Sequence, residues 1–320
     1  MDSGPLDVWC NRSFDDASHA ELLRGLGPHR LSLAHSGAAG ASGLAEADVA
    51  FGQPPVGPAL ASPRLRWVHL TSAGYTAFDE PATGAGFSAG GKALTTSSAV
   101  YAEPCAQHVL ALMLAEARRL PLAMRHMLGD RAWAREISRS TSYLVGPKTV
   151  VLLVGYGSIG ARLRQLLAPL GPEVIGVRRR PRGDEPLPVF PISALDGLLP
   201  RADHVVDLLP ANAETQHLFD AARFARMKPG ALFYNIGRGS TVVQADLAAA
   251  LESGRLAGAL LDVTDPEPLP PGHAFWRAPN LVVTPHAAGG HAGEDAHLVS
   301  HFLENLRRFE RGAPLLDRVF

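Results

Sequence analysis

Ionisable side chains follow three successive apolar segments in the second half of the chain. They lie in NIGRGS, LDVTDPEPLP and VVTPHAAGG, and they are Arg238, Asp262, Glu267 and His286. An imidazole exchanges protons near neutral pH, and a guanidinium offers a fork of donors that fits a carboxylate. Each of these residues alone is typical of a solvated loop. Their joint placement after successive predicted strands indicates a site for proton transfer on an anionic substrate.

Six short apolar runs separated by helical or turn segments must position these side chains. They begin after Lys148 and read as strands at residues 149–154, 173–177, 204–209, 231–236, 257–263 and 281–284. Their number and spacing predict a doubly wound Rossmann domain. Ligands of such a sheet lie at the carboxyl ends of its strands, which is where the ionisable residues are expected.

A glycine-rich turn, VGYGSIG at 154–160, follows the first of these strands. Gly155 permits a sharp turn, Gly157 lets the backbone approach a pyrophosphate, and Gly160 lets helix and strand pack closely. The helix expected at 161–170 directs free amides at an anion. A turn that binds nothing is the alternative, but its strand and helix context favours a dinucleotide. We expect cofactor contacts from the whole turn: Gly155, Tyr156, Gly157, Ser158, Ile159 and Gly160.

Basic residues stand where the second strand of a dinucleotide site usually ends in an acidic one. A carboxylate there accepts hydrogen bonds from the adenosine ribose of NAD and repels a 2′-phosphate, whereas Arg178 and Arg179 can pair with that phosphate. No acidic residue follows them until Asp184. The pattern predicts NADP(H) as the preferred cofactor, with NAD(H) possible. The alternative is a solvated basic loop that tolerates either cofactor.

The first part of the chain shows the same alternation less regularly. Strands are predicted at 6–10, 30–34, 47–51, 65–70 and 93–96, and helices at 15–26 and 297–310. The glycine-rich segment 80–91 reads as a loop. Residues 102–128 form a long apolar helical stretch that Pro121 should divide in two.

These elements predict an α/β protein with two Rossmann-like domains. Residues 99–288 form the doubly wound, dinucleotide-binding domain. Residues 1–98 together with 289–320 form a flavodoxin-like substrate domain.

The composition limits the classes of partner. The 30 basic and 31 acidic residues nearly cancel, so no net field favours nucleic acid or a membrane surface. Two cysteines are too few for a disulfide framework or a thiolate zinc site, and no metal is expected. No signal-peptide pattern is present, and no apolar run reaches the roughly 18 residues that span a bilayer. These features predict a soluble cytoplasmic protein.

The chain resembles the D-isomer-specific 2-hydroxyacid dehydrogenase family, and in particular its glyoxylate/hydroxypyruvate reductases, over nearly its whole length. The family-like segments are YAE at 101–103, LP at 209–210, NIGRG at 235–239, LDV at 261–263 and TPH at 284–286. The resemblance implies cofactor contacts from Leu209, Pro210, Thr215, Ile236, Gly237 and Asp262, of which Asp262 would receive the nicotinamide carboxamide. It also implies a homodimer built around the cofactor domain and the helices of 102–128.

The resemblance further implies NAD(P)H-dependent reduction of a small 2-oxo acid, such as glyoxylate or hydroxypyruvate, to the D-2-hydroxy acid. His286 would be the acid in reduction and the base in oxidation, Glu267 would hydrogen-bond its ring, and Arg238 would bind the substrate oxygens. The segment HLTSAGYTAFD at 69–79 is similar to the family's substrate loop. The residues expected to hold the substrate are therefore Ser72, Ala73, Gly74, Arg238 and His286.

Other functions on the same scaffold stay open. Phosphoglycerate, phosphite and other D-2-hydroxyacid dehydrogenases are similar, whereas a formate dehydrogenase is disfavoured because a glutamate, Glu267, is expected to pair with His286. A non-catalytic scaffold that senses dinucleotides is a further alternative, against which the three catalytic candidates argue. The segment Thr71-Ser72 and Gln107 depart from the family pattern, which concerns the identity of the substrate rather than the reaction type.

Overall fold

Parallel strands and helices alternate along the chain in a computed structural model that describes residues 4–34 and 42–320. In these ranges the strands are β1 (Asp7–Cys10), β2 (Arg30–Leu33), β3 (Val49–Gly52), β4 (Trp67–Leu70), β5 (Ala93–Thr95), β6 (Val150–Val154), β7 (Glu173–Arg178), β8 (Val189–Pro191), β9 (His204–Asp207), β10 (Ala231–Asn235), β11 (Leu256–Leu261) and β12 (Leu281–Val283). The α-helices are α1 (Asp16–Leu26), α2 (Val56–Ala61), α3 (Pro81–Ala89), α4 (Ser98–Ala117), α5 (Leu120–Leu128), α6 (Arg135–Thr141), α7 (Ser158–Leu167), α8 (Leu195–Leu198), α9 (Ala221–Arg226), α10 (Gln244–Glu252) and α11 (Glu294–Glu310).

The chain divides into two compact units, Met1–Tyr101 with Gly290–Phe320 and Ala102–Gly289. The first unit contains a parallel sheet of order β2-β1-β3-β4-β5, which is the flavodoxin-like order. The predicted α/β class is confirmed. Residues 1–3 and 35–41 of the predicted substrate domain, including His35, lie outside the described residues.

Both faces of the first sheet are covered, so its strands are continuous apolar runs. Alternate residues of one strand face opposite sides: Val8 packs in the core beneath α1 and α11, whereas Trp9 packs in the core beneath α2 and α3. On the first side the rings of Phe51 and Phe302 stack at 4.1 Å. The prediction of a loop at 80–91 is wrong, because this segment contains helix α3. Phe87 of α3 is fully buried beside Phe78.

The second unit contains a parallel sheet of order β12-β11-β10-β9-β6-β7-β8. When the strands are counted from β6, β8 is strand 3 and the order is the Rossmann order 3-2-1-4-5-6. Strand β12 is added at the other edge as a seventh strand. The six predicted strands are confirmed, but the sheet also contains β8, which the sequence analysis missed. β8 is three residues long, ends in Pro191 and lies at an edge, where proline is tolerated.

The predicted division of the apolar stretch at 102–128 is confirmed, but the break precedes Pro121. Helix α4 ends at Ala117, and Arg119 adopts a left-handed backbone with φ 57°. Pro121 occupies the first turn of α5, where its missing N–H leaves no hydrogen bond unmade. The proline therefore starts the second helix rather than ending the first.

No helix in the described ranges is both long enough and apolar enough to cross a bilayer. The predicted cytoplasmic location stays a prediction.

Candidate active site

The glycine-rich turn lies between β6 and α7, next to the segment that follows β9. Gly155 has φ 97°, and an added Cβ would meet the carbonyl carbon of Leu208 at 2.8 Å, so only glycine fits there. The space beside Gly157 is open, since an added Cβ would meet only the Gly155 carbonyl oxygen at 3.9 Å. Helix α7 starts at Ser158 without a side-chain cap. This cradle of open backbone and uncapped amides fits the pyrophosphate of a dinucleotide.

The two arginines at the end of β7 have acidic partners. Arg178 Nη1 lies 3.3 Å from Glu185 Oε1, and Arg179 Nη1 lies 3.8 Å from Glu214 Oε2. Glu185 also accepts hydrogen bonds from the amides of Arg182 and Gly183, both at 2.8 Å. The hydrogen bond from the Arg182 amide is the largest cause that holds the pKa of the Glu185 carboxyl below its usual value.

The sequence has no acidic residue between Arg179 and Asp184, but its order did not show that Glu185 lies next to Arg178 in the fold. The loop after β7 folds back so that β8 can pair with β7, and this return brings Glu185 to Arg178. The end of β7 therefore supplies a cation expected to bind a 2′-phosphate, and the following loop supplies a carboxylate, Glu185, that competes for this cation.

Two of the segments with expected cofactor contacts pack against each other. An added Cβ on Gly237 would meet the Leu209 oxygen at 2.5 Å and the Leu209 nitrogen at 2.7 Å. The hydroxyl of Thr215 donates to the Pro210 carbonyl at 2.7 Å and so closes the turn after β9. Ile236 is buried beside this contact. The ends of β9 and β10 thus form one continuous wall next to the glycine-rich turn.

Arg238 follows β10 in a turn that is stabilised by hydrogen bonds to the Arg238 carbonyl group. The Arg238 oxygen accepts hydrogen bonds from Asn235 Nδ2 at 2.9 Å and from Thr241 Oγ1 at 2.7 Å. Arg238 Nη1 donates to the Gly237 carbonyl at 2.7 Å. An added Cβ on Gly239 would overlap the backbone of Thr264, so this turn lies directly on the loop after β11.

Glu267 and His286 form the closest pair of the candidate catalytic residues. His286 Nδ1 lies 2.8 Å from Glu267 Oε2, and Glu267 Oε1 accepts a hydrogen bond from the Thr264 amide at 3.0 Å. His286 has φ 51°, a left-handed backbone that turns the side chain out of the strand direction. The His286 side chain is 52% exposed. Its Nε2 has no hydrogen-bond partner in the described part of the chain and can reach a ligand.

Asp262 is buried and braces the loop that carries His286. Its Oδ1 accepts hydrogen bonds from Thr284 Oγ1 at 2.6 Å and from the Ala287 amide at 2.9 Å, and its Oδ2 accepts one from the Ala288 amide at 2.9 Å. His108 Nε2 lies 3.1 Å from Thr284 Oγ1. Sequence reasoning expected a nicotinamide contact from Asp262 and missed this bracing, although the polar Thr284 before a turn was a signal for it.

The expected substrate loop lies in the first unit. Ser72 Oγ donates to the Gly74 carbonyl at 2.6 Å, and the Ser97 amide donates to the Ser72 carbonyl at 3.0 Å. The amides of Ser72, Ala73 and Gly74 donate no hydrogen bond within 4–34 and 42–320. The loop therefore has three amides available as donors to a carboxylate.

The hydrogen bonds of the described residues thus bring together Asp262, Glu267 and His286 with the strand ends that carry them. The Arg238 turn joins them through the contact of Gly239 with Thr264. The Arg238 guanidinium itself makes no hydrogen bond to Glu267 or His286 in the residues that the structure describes. Arg178 and Arg179 lie separately, at the end of β7.

A family model, "D-isomer specific 2-hydroxyacid dehydrogenase, NAD binding domain", matches residues 110–288, more than half of the chain. The chain belongs to this family of oxidoreductases. The match covers nearly all of the second unit, which is therefore the domain that binds a nicotinamide dinucleotide. The family that the sequence motifs indicated is confirmed.

Two relatives of this 2-hydroxyacid dehydrogenase chain match it over 229 residues each. Glyoxylate/hydroxypyruvate reductase B of Citrobacter koseri is 38% identical over 229 residues, which are 70% of this chain and 68% of the relative. An uncharacterised protein encoded in the proB 3′ region of Corynebacterium melassecola is 34% identical over 229 residues, 70% and 73% of the two chains.

Two solved structures of the family share the fold over almost the entire chain. The D-isomer specific 2-hydroxyacid dehydrogenase of Xanthobacter autotrophicus, in complex with NADPH and MES, is 29% identical with a TM-score of 0.80 and covers 99% of this chain and 98% of its own. The NADPH-dependent glyoxylate/hydroxypyruvate reductase of Sinorhizobium meliloti, in complex with NADP and sulfate, is 27% identical with a TM-score of 0.77 and covers 98% of each chain.

Proposed function

We propose that this dehydrogenase reduces a small 2-oxo acid, of the size of glyoxylate or hydroxypyruvate, to the D-2-hydroxy acid. Bound NAD(P)H supplies the hydride. The observation that carries the proposal is the 2.8 Å contact between His286 Nδ1 and Glu267 Oε2 at neighbouring strand ends. The reductases of Citrobacter and Sinorhizobium among its relatives support this substrate class.

His286 acts as the proton donor in this reaction. Glu267 accepts the hydrogen of Nδ1, so the ring is held in one orientation and Nε2 faces the substrate. Nε2 gives its proton to the carbonyl oxygen as that oxygen gains negative charge. In the reverse direction the same nitrogen removes the hydroxyl proton.

Arg238 and the loop of 72–74 bind the acid group of the substrate. Arg238 uses one guanidinium nitrogen on the Gly237 carbonyl, and its remaining donors fit the carboxylate and the carbonyl oxygen. The free amides of Ser72, Ala73 and Gly74 add donors for the carboxylate. These contacts polarise the carbonyl group as well as hold it.

NADP(H) is the preferred cofactor in this proposal, and NAD(H) is also accepted. Arg178 and Arg179 lie at the end of β7, where side chains of a Rossmann domain bind the 2′-phosphate or 2′-hydroxyl of the adenosine ribose. Two structural neighbours bind NADPH or NADP, which supports the preference. Glu185 beside Arg178 weakens it by competing for the guanidinium.

The protein is proposed to form a homodimer through α5, α6 and their flanking loops. This region carries a set of exposed large apolar side chains: Leu120, Met124, Met127, Leu128, Trp133, Ile137 and Leu144. A concentration of exposed large apolar side chains in one region of the chain is typical of a protein–protein interface. Light scattering should give twice the chain mass, and Trp133→Glu should shift the protein toward the monomer.

The deciding experiment follows the loss of NADPH or NADH absorbance with a panel of 2-oxo acids. The expected result is turnover of glyoxylate or hydroxypyruvate, faster with NADPH. Turnover only of larger or phosphorylated acids would favour another D-2-hydroxyacid dehydrogenase. Tight binding of NADPH without turnover of any acid would overturn the proposal in favour of a dinucleotide-sensing scaffold.

A further inference from the structure

A fully buried carboxyl group lies beneath the Arg238 turn. Asp207 is the last residue of β9, and its side chain has no exposed surface. Oδ1 accepts a hydrogen bond from the Leu209 amide at 3.0 Å, and Oδ2 lies 2.5 Å from Thr241 Oγ1. Asp207 thus touches both the segment after β9 and the turn after β10. Sequence reasoning did not single it out.

The hydrogen atoms available around Thr241 are too few for an ionised Asp207. The Thr241 hydroxyl carries one hydrogen, but its oxygen lies close to two acceptors, Asp207 Oδ2 at 2.5 Å and the Arg238 carbonyl at 2.7 Å. Asn235 Nδ2 donates to the same carbonyl at 2.9 Å and lies 3.3 Å from the hydroxyl. With an ionised Asp207, one of the two short oxygen–oxygen contacts would contain no hydrogen, which is costly in a buried site.

A protonated Asp207 satisfies every group in this network. Its hydroxyl donates to Thr241 Oγ1, the Thr241 hydroxyl donates to the Arg238 carbonyl, and the other Asp207 oxygen still accepts from the Leu209 amide. The chain of donors then runs in one direction, from β9 to the Arg238 turn.

No cation within residues 4–34 and 42–320 pairs with Asp207 to favour the ionised form. The neighbouring strands present Val154 and Asn235, neither of which titrates. The charged or titratable groups on the surrounding elements include His204 on β9, Tyr234 on β10, Arg238 after β10, Asp262 after β11 and His217, whose amide donates to the Ser240 carbonyl. His204 and Tyr234 hydrogen-bond to each other, and none of these groups hydrogen-bonds to Asp207 in the described ranges. Burial raises the pKa of Asp207 to about 7, although the hydrogen bonds from Thr241 and the Leu209 amide lower it.

We infer that Asp207 is a positioning residue that works as a protonated acid. In that form it ties the Leu209 segment to the Arg238 turn through Thr241 and fixes the backbone from which Arg238 extends. After loss of the proton, the single Thr241 hydrogen can serve either the Asp207 carboxylate or the Arg238 carbonyl, so one of these two contacts with Thr241 is lost. The effect on substrate rests on the proposed function, whereas the protonation itself does not.

Asp207→Asn tests the protonation directly. The amide Nδ2 can donate to Thr241 Oγ1 and its oxygen can accept from the Leu209 amide, so asparagine reproduces the protonated acid at every pH. Because the folded pKa of about 7 lies above the ordinary 3.8, the folded chain retains a proton that the unfolded chain releases. The stabilisation by Asp207 is therefore complete below the unfolded pKa and is lost as the pH rises through the folded pKa.

The measurement is the melting temperature of both proteins as a function of pH. The expected result is that wild type loses stability relative to Asp207→Asn as the pH rises from about 4 to about 7, after which the difference is constant. Asp16→Asn removes an exposed carboxylate in α1 and serves as the control, which should show no such shift. A difference between wild type and Asp207→Asn that does not change with pH would overturn the inference.

Wild-type protein labelled with ¹³C at the aspartate carboxyl carbons keeps the test independent of folding of the variant. An aspartate resonance that titrates near neutral pH is expected in its NMR spectrum. Titration of every aspartate well below neutral pH would contradict the inference.

The positioning role is tested by kinetics. The ratio of the KM for the 2-oxo acid in wild type to that in Asp207→Asn should rise several-fold with pH through the neutral range, whereas the ratio of their kcat values changes less, because His286 contributes equally to both proteins. Equal pH dependence of KM in both proteins would remove the positioning role. If no acid is turned over, the proposed function fails, while the melting temperatures still decide the state of Asp207.

Discussion

His286 Nδ1 and Glu267 Oε2 are 2.8 Å apart, and the second oxygen of the same carboxylate is held at 3.0 Å by the Thr264 amide. The imidazole is therefore oriented by a group that is itself anchored to the backbone. Asp262 holds the loop through the Thr284 hydroxyl before His286 and through the amides of Ala287 and Ala288 after it. Both ends of the segment that presents His286 are thus restrained before any substrate arrives.

Replacement of His286 by alanine should lower kcat by roughly 10²- to 10⁴-fold, because a general acid contributes about that much. NADPH binding, followed by the fluorescence of the nicotinamide, should be unchanged. His19→Ala in α1 is the control for a histidine without a catalytic role. A decrease of kcat of less than about tenfold would show that another group supplies the proton.

Replacement of Glu267 by glutamine should lower kcat by roughly 10²-fold or more. The neutral amide no longer stabilises the charged imidazolium that donates the proton from Nε2. An amide nitrogen directed at Nδ1 also leaves the ring hydrogen on Nε2, where the neutral ring cannot act as the base of the reverse reaction. Steady-state kinetics at several pH values measure the effect, and Glu252→Gln at the exposed end of α10 is the matched control. Unchanged kcat in Glu267→Gln would mean that the 2.8 Å contact has no catalytic consequence.

Replacement of Arg178 by aspartate together with Arg179 by serine should raise the KM for NADPH much more than the KM for NADH. The change removes two cations and introduces a charge that repels a 2′-phosphate. Arg201→Ser is the control, because Arg201 pairs with Glu173 at the opposite end of β7. Equal changes in both KM values would assign the two arginines to a solvated loop.

Replacement of Gly239 by alanine should destabilise the protein by roughly 1–3 kcal/mol and lower kcat/KM. The added Cβ would overlap the Thr264 backbone, which forces the Arg238 turn away from the loop that carries Glu267. Thermal unfolding and steady-state kinetics measure the two effects. Gly197→Ala is the control, since an added Cβ there meets nothing within 4 Å. A Gly239→Ala protein as stable and active as wild type would disprove the close packing of the two loops.

Sequence patterns predicted those parts of the fold that depend on neighbouring residues. Apolar runs with turn residues between them located six of the seven strands of the second sheet, and the glycines of 155–160 located its first turn. Edge strand β8 was missed because its three residues, which follow Pro188 and end in Pro191, have neither the length nor the burial pattern of a strand. Its pairing with β7 depends on the sheet that is already formed.

The sequence by itself determined the family, the α/β class and the residue types at the strand ends, because strand periodicity and turn glycines are local properties of the backbone. Only the tertiary structure decided which charges meet. Glu185 reaches Arg178 because a loop returns to the sheet edge, and Asp207 is buried against Thr241 because two neighbouring strands end side by side. Burial and proximity arise from packing between distant segments, and these two quantities control the ionisation of a carboxyl group.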